Sequence, residues 1–156
     1  MRTKPPEFDF QQDGDKAKEL AEVLHKKMVQ LNGAGLSANQ VGLPYRVFVL
    51  GTPERRYAFF NPQIVGVSKE QVAMEEGCLS FPLLGLSITR AENILVEYQD
   101  FNGNVRQQNF GGISARCFQH ELDHMNGIVY TSKVKPLALQ QGQKKRNKIY
   151  KKLGLK

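Results

Sequence analysis

Apolar residues recur along this chain with two different periods. Between residues 17 and 31, Ala17, Leu20, Val23, Leu24, Met28 and Leu31 keep helical spacing, with Asp13-Gly14-Asp15 as an N-cap signal and Asn32-Gly33 as a stop. The spacing predicts an amphipathic helix of about 16 to 18 residues, preceded by an extended lead-in over residues 1–12 that contains Pro5 and Pro6. Period-two and short apolar runs follow. Strands are expected at Arg46–Leu50 and Tyr57–Phe60, joined by a turn at Gly51-Thr52-Pro53, then at Gln63–Val67 and just before Glu75. Ile94–Gln99 and Val105–Phe110 flank Asp100-Phe101-Asn102-Gly103-Asn104, which reads as an antiparallel hairpin. Gly111-Gly112 then releases the chain into a second helix. Strands grouped between helices, instead of alternating with them, predict an α+β fold: antiparallel sheets packed around a central helix, with an amphipathic helix at the N-terminus.

The second helix carries two stripes. Phe118, Leu122, Met125 and Val129 form one, and Ile113, Cys117, His120 and His124 the other, so the helix is expected to be buried on more than one side. Within it, His120-Glu121-Leu122-Asp123-His124 sets two imidazoles four residues apart, on one face and separated by about 6 Å of axial rise. Both rings can converge on one divalent cation, and Glu121 stands beside it as a carboxylate able to accept a proton from water activated there. Buried imidazoles without a metal or a hydrogen-bond network would be costly.

A third protein ligand is needed if one position is to stay open for water. Nothing after His124 is His, Glu, Asp or Cys, which disfavours an ordinary His-Glu-x-x-His protease. Cys117 lies on the same helix face, but three donors in a row along one helix suit tetrahedral coordination poorly, and it reads as a small buried apolar residue. His25 has no second donor at ligand spacing and is set aside. Cys78, in Glu75-Glu76-Gly77-Cys78-Leu79-Ser80, is the better third ligand: Gly77 allows a sharp turn that projects the thiol, with the Leu79 amide pointing into the same space. The alternative is Cys78 as a covalent nucleophile with a histidine base, which leaves one imidazole without a task.

Composition and charge narrow the picture. The chain has 156 residues, 40% of them apolar, enough for one domain with its own core, and no run is long enough to span a bilayer. The N-terminus lacks a signal-peptide apolar region, so a cytoplasmic protein with reduced cysteines is expected, and a Cys78–Cys117 disulfide is the minor reading. The net charge is +7, yet nine cationic side chains and no acidic one follow Asp123, so the excess belongs to the C-terminus. Residues 1–143 read as the catalytic domain and 144–156 as a basic tail, suited either to a polyanionic surface or to solubility alone. If the tail only docks, its removal should leave turnover of small peptides unchanged.

Three stretches, taken in order, resemble a known family. Gly33-Ala34-Gly35-Leu36-Ser37-Ala38-Asn39-Gln40, Glu76-Gly77-Cys78-Leu79-Ser80 and Gln119-His120-Glu121-Leu122-Asp123-His124 are similar to the signature motifs of peptide deformylase. The resemblance implies removal of the N-formyl group from the initiator methionine of nascent polypeptides, with release of formate. It implies Cys78, His120 and His124 as metal ligands, Glu121 as general base and acid, and Gln40 with the Leu79 amide as oxyanion donors. It further implies a substrate site formed by Ala34, Gly35, Met74, Glu76, Gly77 and Ile113, and a structural Arg90–Asp123 pair that keeps Asp123 off the metal. Fe(II) is the cofactor it favours, with Zn(II) or Ni(II) as other occupants. Its partners would be formyl-methionyl peptides and, through the basic tail, the ribosome, for a monomeric enzyme without a membrane. Ser37 stands where the family usually has alanine, a change that could add one hydrogen bond near the active-site loop and leave function intact.

Overall fold

The computed structural model describes residues 2–52 and 54–155. Its helices are α1 (Phe10–Asp13), α2 (Ala17–Gln30), α3 (Gly112–Met125) and α4 (Pro136–Leu153), and its strands β1 (Gly35–Ser37), β2 (Val47–Gly51), β3 (Arg56–Val67), β4 (Gln71–Cys78), β5 (Phe81–Ala91), β6 (Asn93–Gln99) and β7 (Val105–Gly111). Strands β1-β2-β3-β6-β7 make one antiparallel sheet and β4-β5 a separate antiparallel pair, as the α+β reading requires.

Strand β2 explains the layering. Its alternate residues Phe48 and Leu50 pack with Phe59, Phe110 and the α3 side chains Phe118, Leu122 and Met125. Val47 and Val49 face the other way, onto Ala17, Ala21, Leu24 and Met28 of α2. The sheet is therefore covered on both faces, and α3 is the inner helix. A third cluster, Leu84, Leu86, Ile88, Val129 and Tyr130, joins β5 to the chain beyond α3 and takes in Leu139 of α4.

The predicted elements hold with particular exceptions. Helical structure starts at Phe10 and not at residues 13–15, because Asp9 Oδ1 accepts from the amides of Gln11 and Gln12 at 2.8 and 3.2 Å. The lead-in is not a free strand either: Phe8 is buried against Phe10, Tyr45 and Phe60, and exchanges two hydrogen bonds with the Asn61 side chain. On α2 the buried stripe is Ala17, Ala21, Leu24, His25 and Met28, whereas Val23 and Leu31 are 51% and 43% exposed. Tyr57–Phe60 and Gln63–Val67 are one strand, β3, with its pairing to β6 slipping between Phe60 and Gln63. Pro62 has no N–H for the ladder, so it falls at that irregularity. Pro53, in the expected turn, lies outside the described residues, as does Lys156 of the tail. Val129 lies past the end of α3, and Ile113 is exposed, so neither extends a buried stripe.

Besides the short β1, two longer elements were not foreseen. Strand β5 runs for 11 residues, its alternation of Leu84, Leu86 and Ile88 hidden among glycine, proline and leucine neighbours. Helix α4 carries the residue 143/144 border within it, begins with Pro136 and ends at Gly154 with φ 66°. It lies close on β5: a Cβ at Gly142 would come within 2.7 Å of the Leu86 side chain.

Candidate metal centre

Helix α3 delivers His120 and His124 from one face, their rings 4.9 Å apart and nearly perpendicular. The β4–β5 hairpin delivers Cys78. The sharp turn expected at Gly77 falls later: the register between β4 and β5 slips between Glu76 and Cys78, and the chain reverses across Leu79-Ser80. That slip directs the thiol to α3, where Sγ stands 3.5 Å from His124 Nε2. One donor atom from each of Cys78, His120 and His124 lies within 4.8 Å of the other two, the only such trio among the described residues. Three soft and borderline donors, with no fourth among the described residues, suit a divalent cation with an open position.

A carboxylate orients this centre. Glu76 Oε2 accepts from His120 Nδ1 at 3.0 Å, which leaves the Nε2 lone pair for Cys78 or a metal ion. Arg90 binds both oxygens of Glu76, and Arg116 binds Oε1 at 2.6 Å while donating to the carbonyls of Ile88 and Val72. Burial opposes ionisation of Glu76, but the hydrogen bonds from His120 and Arg90 prevail and hold its pKa down at about 2. Arg90 Nη1 also pairs with Asp123 Oδ2 at 2.9 Å, and Lys133 reaches the same oxygen at 3.2 Å, so Asp123 is turned from the donor trio. Burial and the adjoining His120 push His124 down to about 3, which keeps it a neutral donor. Burial also opposes charge on His120, yet its bonds to Cys78 and Glu76 raise it to about 10; a cation would take the place of that proton.

Glu121 is buried, and its Oε2 has no hydrogen-bond partner among the described residues. Burial raises its pKa to about 7, against the lowering influence of His120. The glycine at position 35 makes room for it, since a Cβ there would lie 2.6 Å from Glu121 Oε1. Gln40 approaches from the other side, its Nε2 3.6 Å from Cys78 Sγ and 3.1 Å from Ser80 Oγ.

Cys78 and His120 border a cleft of about 800 Å³. Ala34, Gly35, Gln40, Met74, Glu76, Gly77, Cys78, Leu79, Ile113, His120 and Glu121 all line it, so the sequence-derived set is brought together, with His124 just behind. Glu76 borders the cleft while its carboxylate is committed to two arginines and His120. Cys117 also lines it, half-buried and held protonated by burial, with a pKa near 11, instead of sitting wholly in the core. His25 is buried in α2, apart from the donor trio. Sequence reasoning missed Arg116, the first residues of β5, and Ile149 of α4. Arg116 was within reach: it precedes His120 by one helical turn.

The family profile described as Polypeptide deformylase matches residues 2–140. The chain belongs to that family. A peptide deformylase of Wolbachia pipientis subsp. Culex pipiens is 36% identical over 148 residues, covering 86% of this chain and 83% of the relative. A crystal structure of the Plasmodium falciparum peptide deformylase superposes with a TM-score of 0.85 at 31% identity, covering 96% of this chain and 91% of the other. The Thermotoga maritima enzyme superposes with a TM-score of 0.77 at 36% identity, covering 86% and 89%. Among the described residues no helix is long and apolar enough to cross a membrane.

Proposed function

We propose that this chain is a metal-dependent hydrolase that removes the N-formyl group from the initiator methionine of nascent polypeptides and releases formate. The observation that carries the reading is the convergence of Cys78, His120 and His124 beside the Glu121 carboxylate, whose Oε2 has no partner among the described residues, at the wall of a largely apolar cleft. Cys78, His120 and His124 would hold a divalent cation, which when bound would supply Lewis-acid polarisation of the formyl carbonyl and lower the pKa of water. Glu121 takes the proton of the attacking water and returns it to the departing amine, a task suited to a carboxyl buried enough to hold a pKa near neutrality. Gln40 Nε2 and the Leu79 amide stabilise the charge that gathers on the formyl oxygen. Ala34, Met74 and Ile113 receive the unbranched methionine side chain, with Gly35 and Gly77 along the peptide. Glu76 serves that site as the partner of His120.

The mixed thiolate and imidazole donors suit Fe(II) in the cell, with Zn(II) or Ni(II) as substitutes. The enzyme works as a monomer in the cytoplasm, where a reducing milieu keeps Cys78 available as a thiolate. The lysines of α4 give it the charge to rest on ribosomal RNA. Formyl-Met-Ala-Ser assayed anaerobically, with metal analysis of the same sample, should yield formate without internal cleavage. Internal cleavage without formate would overturn the reading in favour of a peptidase.

A further inference from the structure

The last residue of β1 is a buried polar group that the mechanism above does not use. Ser37 is fully buried, and its Oγ stands 2.8 Å from Gln40 Oε1 and 2.8 Å from Asn39 Oδ1. The backbone N–H of Ser37 donates to the same Gln40 oxygen at 3.0 Å. Both amides are engaged at their far ends. Asn39 Nδ2 donates to the carbonyl of His124 at 2.8 Å, and Gln40 Nε2 faces Cys78 Sγ and Ser80 Oγ.

We propose that Ser37 is a positioning residue for the reaction: its one hydroxyl proton, shared between two amide oxygens, ties the amide that grips the metal-bearing helix to the amide that faces the reacting carbonyl. The inference rests on the reading of Gln40 as an oxyanion donor. With Oε1 held by two donors from Ser37, the Gln40 amide is fixed in the sense that turns Nε2 to the site. Rotation of the amide by half a turn would set its NH2 against the Ser37 N–H, two donors face to face. The hydroxyl adds the second restraint, from a side chain that is itself fully buried. Preorganised donors lower the barrier because they need not reorient as charge develops. The Ser37 contribution should thus fall on kcat and not on KM.

The test is a double-mutant cycle on metal-loaded enzyme with formyl-Met-Ala-Ser. Ser37→Ala should lower kcat about three- to tenfold, the worth of one hydrogen bond, with KM within about twofold. Gln40→Ala should lower kcat about 10²- to 10³-fold, as loss of an oxyanion donor does. In the Gln40→Ala background Ser37→Ala should cost nothing further. On the Zn(II)-loaded protein, the Gln40 side-chain amide protons should exchange with solvent faster in Ser37→Ala. An unchanged kcat in Ser37→Ala, or a loss that persists undiminished without Gln40, overturns the role of Ser37 alone. An unchanged kcat in Gln40→Ala overturns the oxyanion reading, and the role of Ser37 with it.

Discussion

Glu76→Gln isolates the carboxylate that holds His120, and the structure sets its magnitude twice. Glutamine keeps the shape but removes the charge that faces Arg90, Arg116 and His120. Breaking a buried ion pair costs about 3–5 kcal/mol, because the surviving charge stays desolvated. Here Arg90 retains Asp123, and Arg116 retains the Ile88 and Val72 carbonyls, so the cost should lie near the lower bound, about 3 kcal/mol. Linkage gives the same figure. A carboxyl held at about 2 in the fold against 4.5 unfolded contributes about 3 kcal/mol, at 1.36 kcal/mol per pH unit. A depressed pKa means that this stability is complete above pH 4.5 and is lost as pH falls from there towards 2. Urea unfolding of both proteins, with metal removed so that its release in acid does not enter, should show the variant weaker by about 3 kcal/mol at pH 7 and less sensitive to acid below pH 4.5. A difference under about 1 kcal/mol at pH 7, or equal acid sensitivity, would refute the assignment of Glu76 as the buried anchor.

Glu121→Gln should keep its full complement of bound metal while turnover falls about 10²- to 10⁴-fold, since the ligands remain and the proton acceptor is gone; retained activity would remove Glu121 from the mechanism. Removal of residues 144–156 takes Ile149 out of the cleft wall and Tyr150 away from the Pro82 carbonyl, so the expectation of unchanged peptide turnover gives way to a rise in KM of about fivefold, from an apolar contact on the order of 1 kcal/mol. Ile149→Asp should reproduce it, and unchanged KM in both would make α4 irrelevant to the cleft. Chelation should abolish activity but leave the far-UV circular dichroism at 25 °C near that of the loaded protein, because the three apolar clusters close without the donor trio. Unfolding on chelation would instead favour a structural zinc module.

The sequence by itself determined the chemistry of this protein. Two histidines at i and i+4 share a helix face whatever the rest of the chain does, and Cys78 is one of only two cysteines that could join them. The hairpin of β6 and β7 was equally readable, since local turn residues specify it. Only the tertiary structure decided what depends on contacts between distant segments. Glu76 looked like part of the substrate site until Arg90, Arg116 and His120, from 14 to 44 residues away, claimed its carboxylate. The Cys78 thiol turns towards α3 through a strand register slip, which sequence does not encode at a single glycine. The basic tail read as an appendage because charge dominates its composition. Gly142 lets it lie flat on β5, and that packing brings Ile149 to the cleft. Spacing along the chain fixes which groups can share one element. Which groups meet across elements follows from the burial of the three apolar clusters, a property of the whole fold.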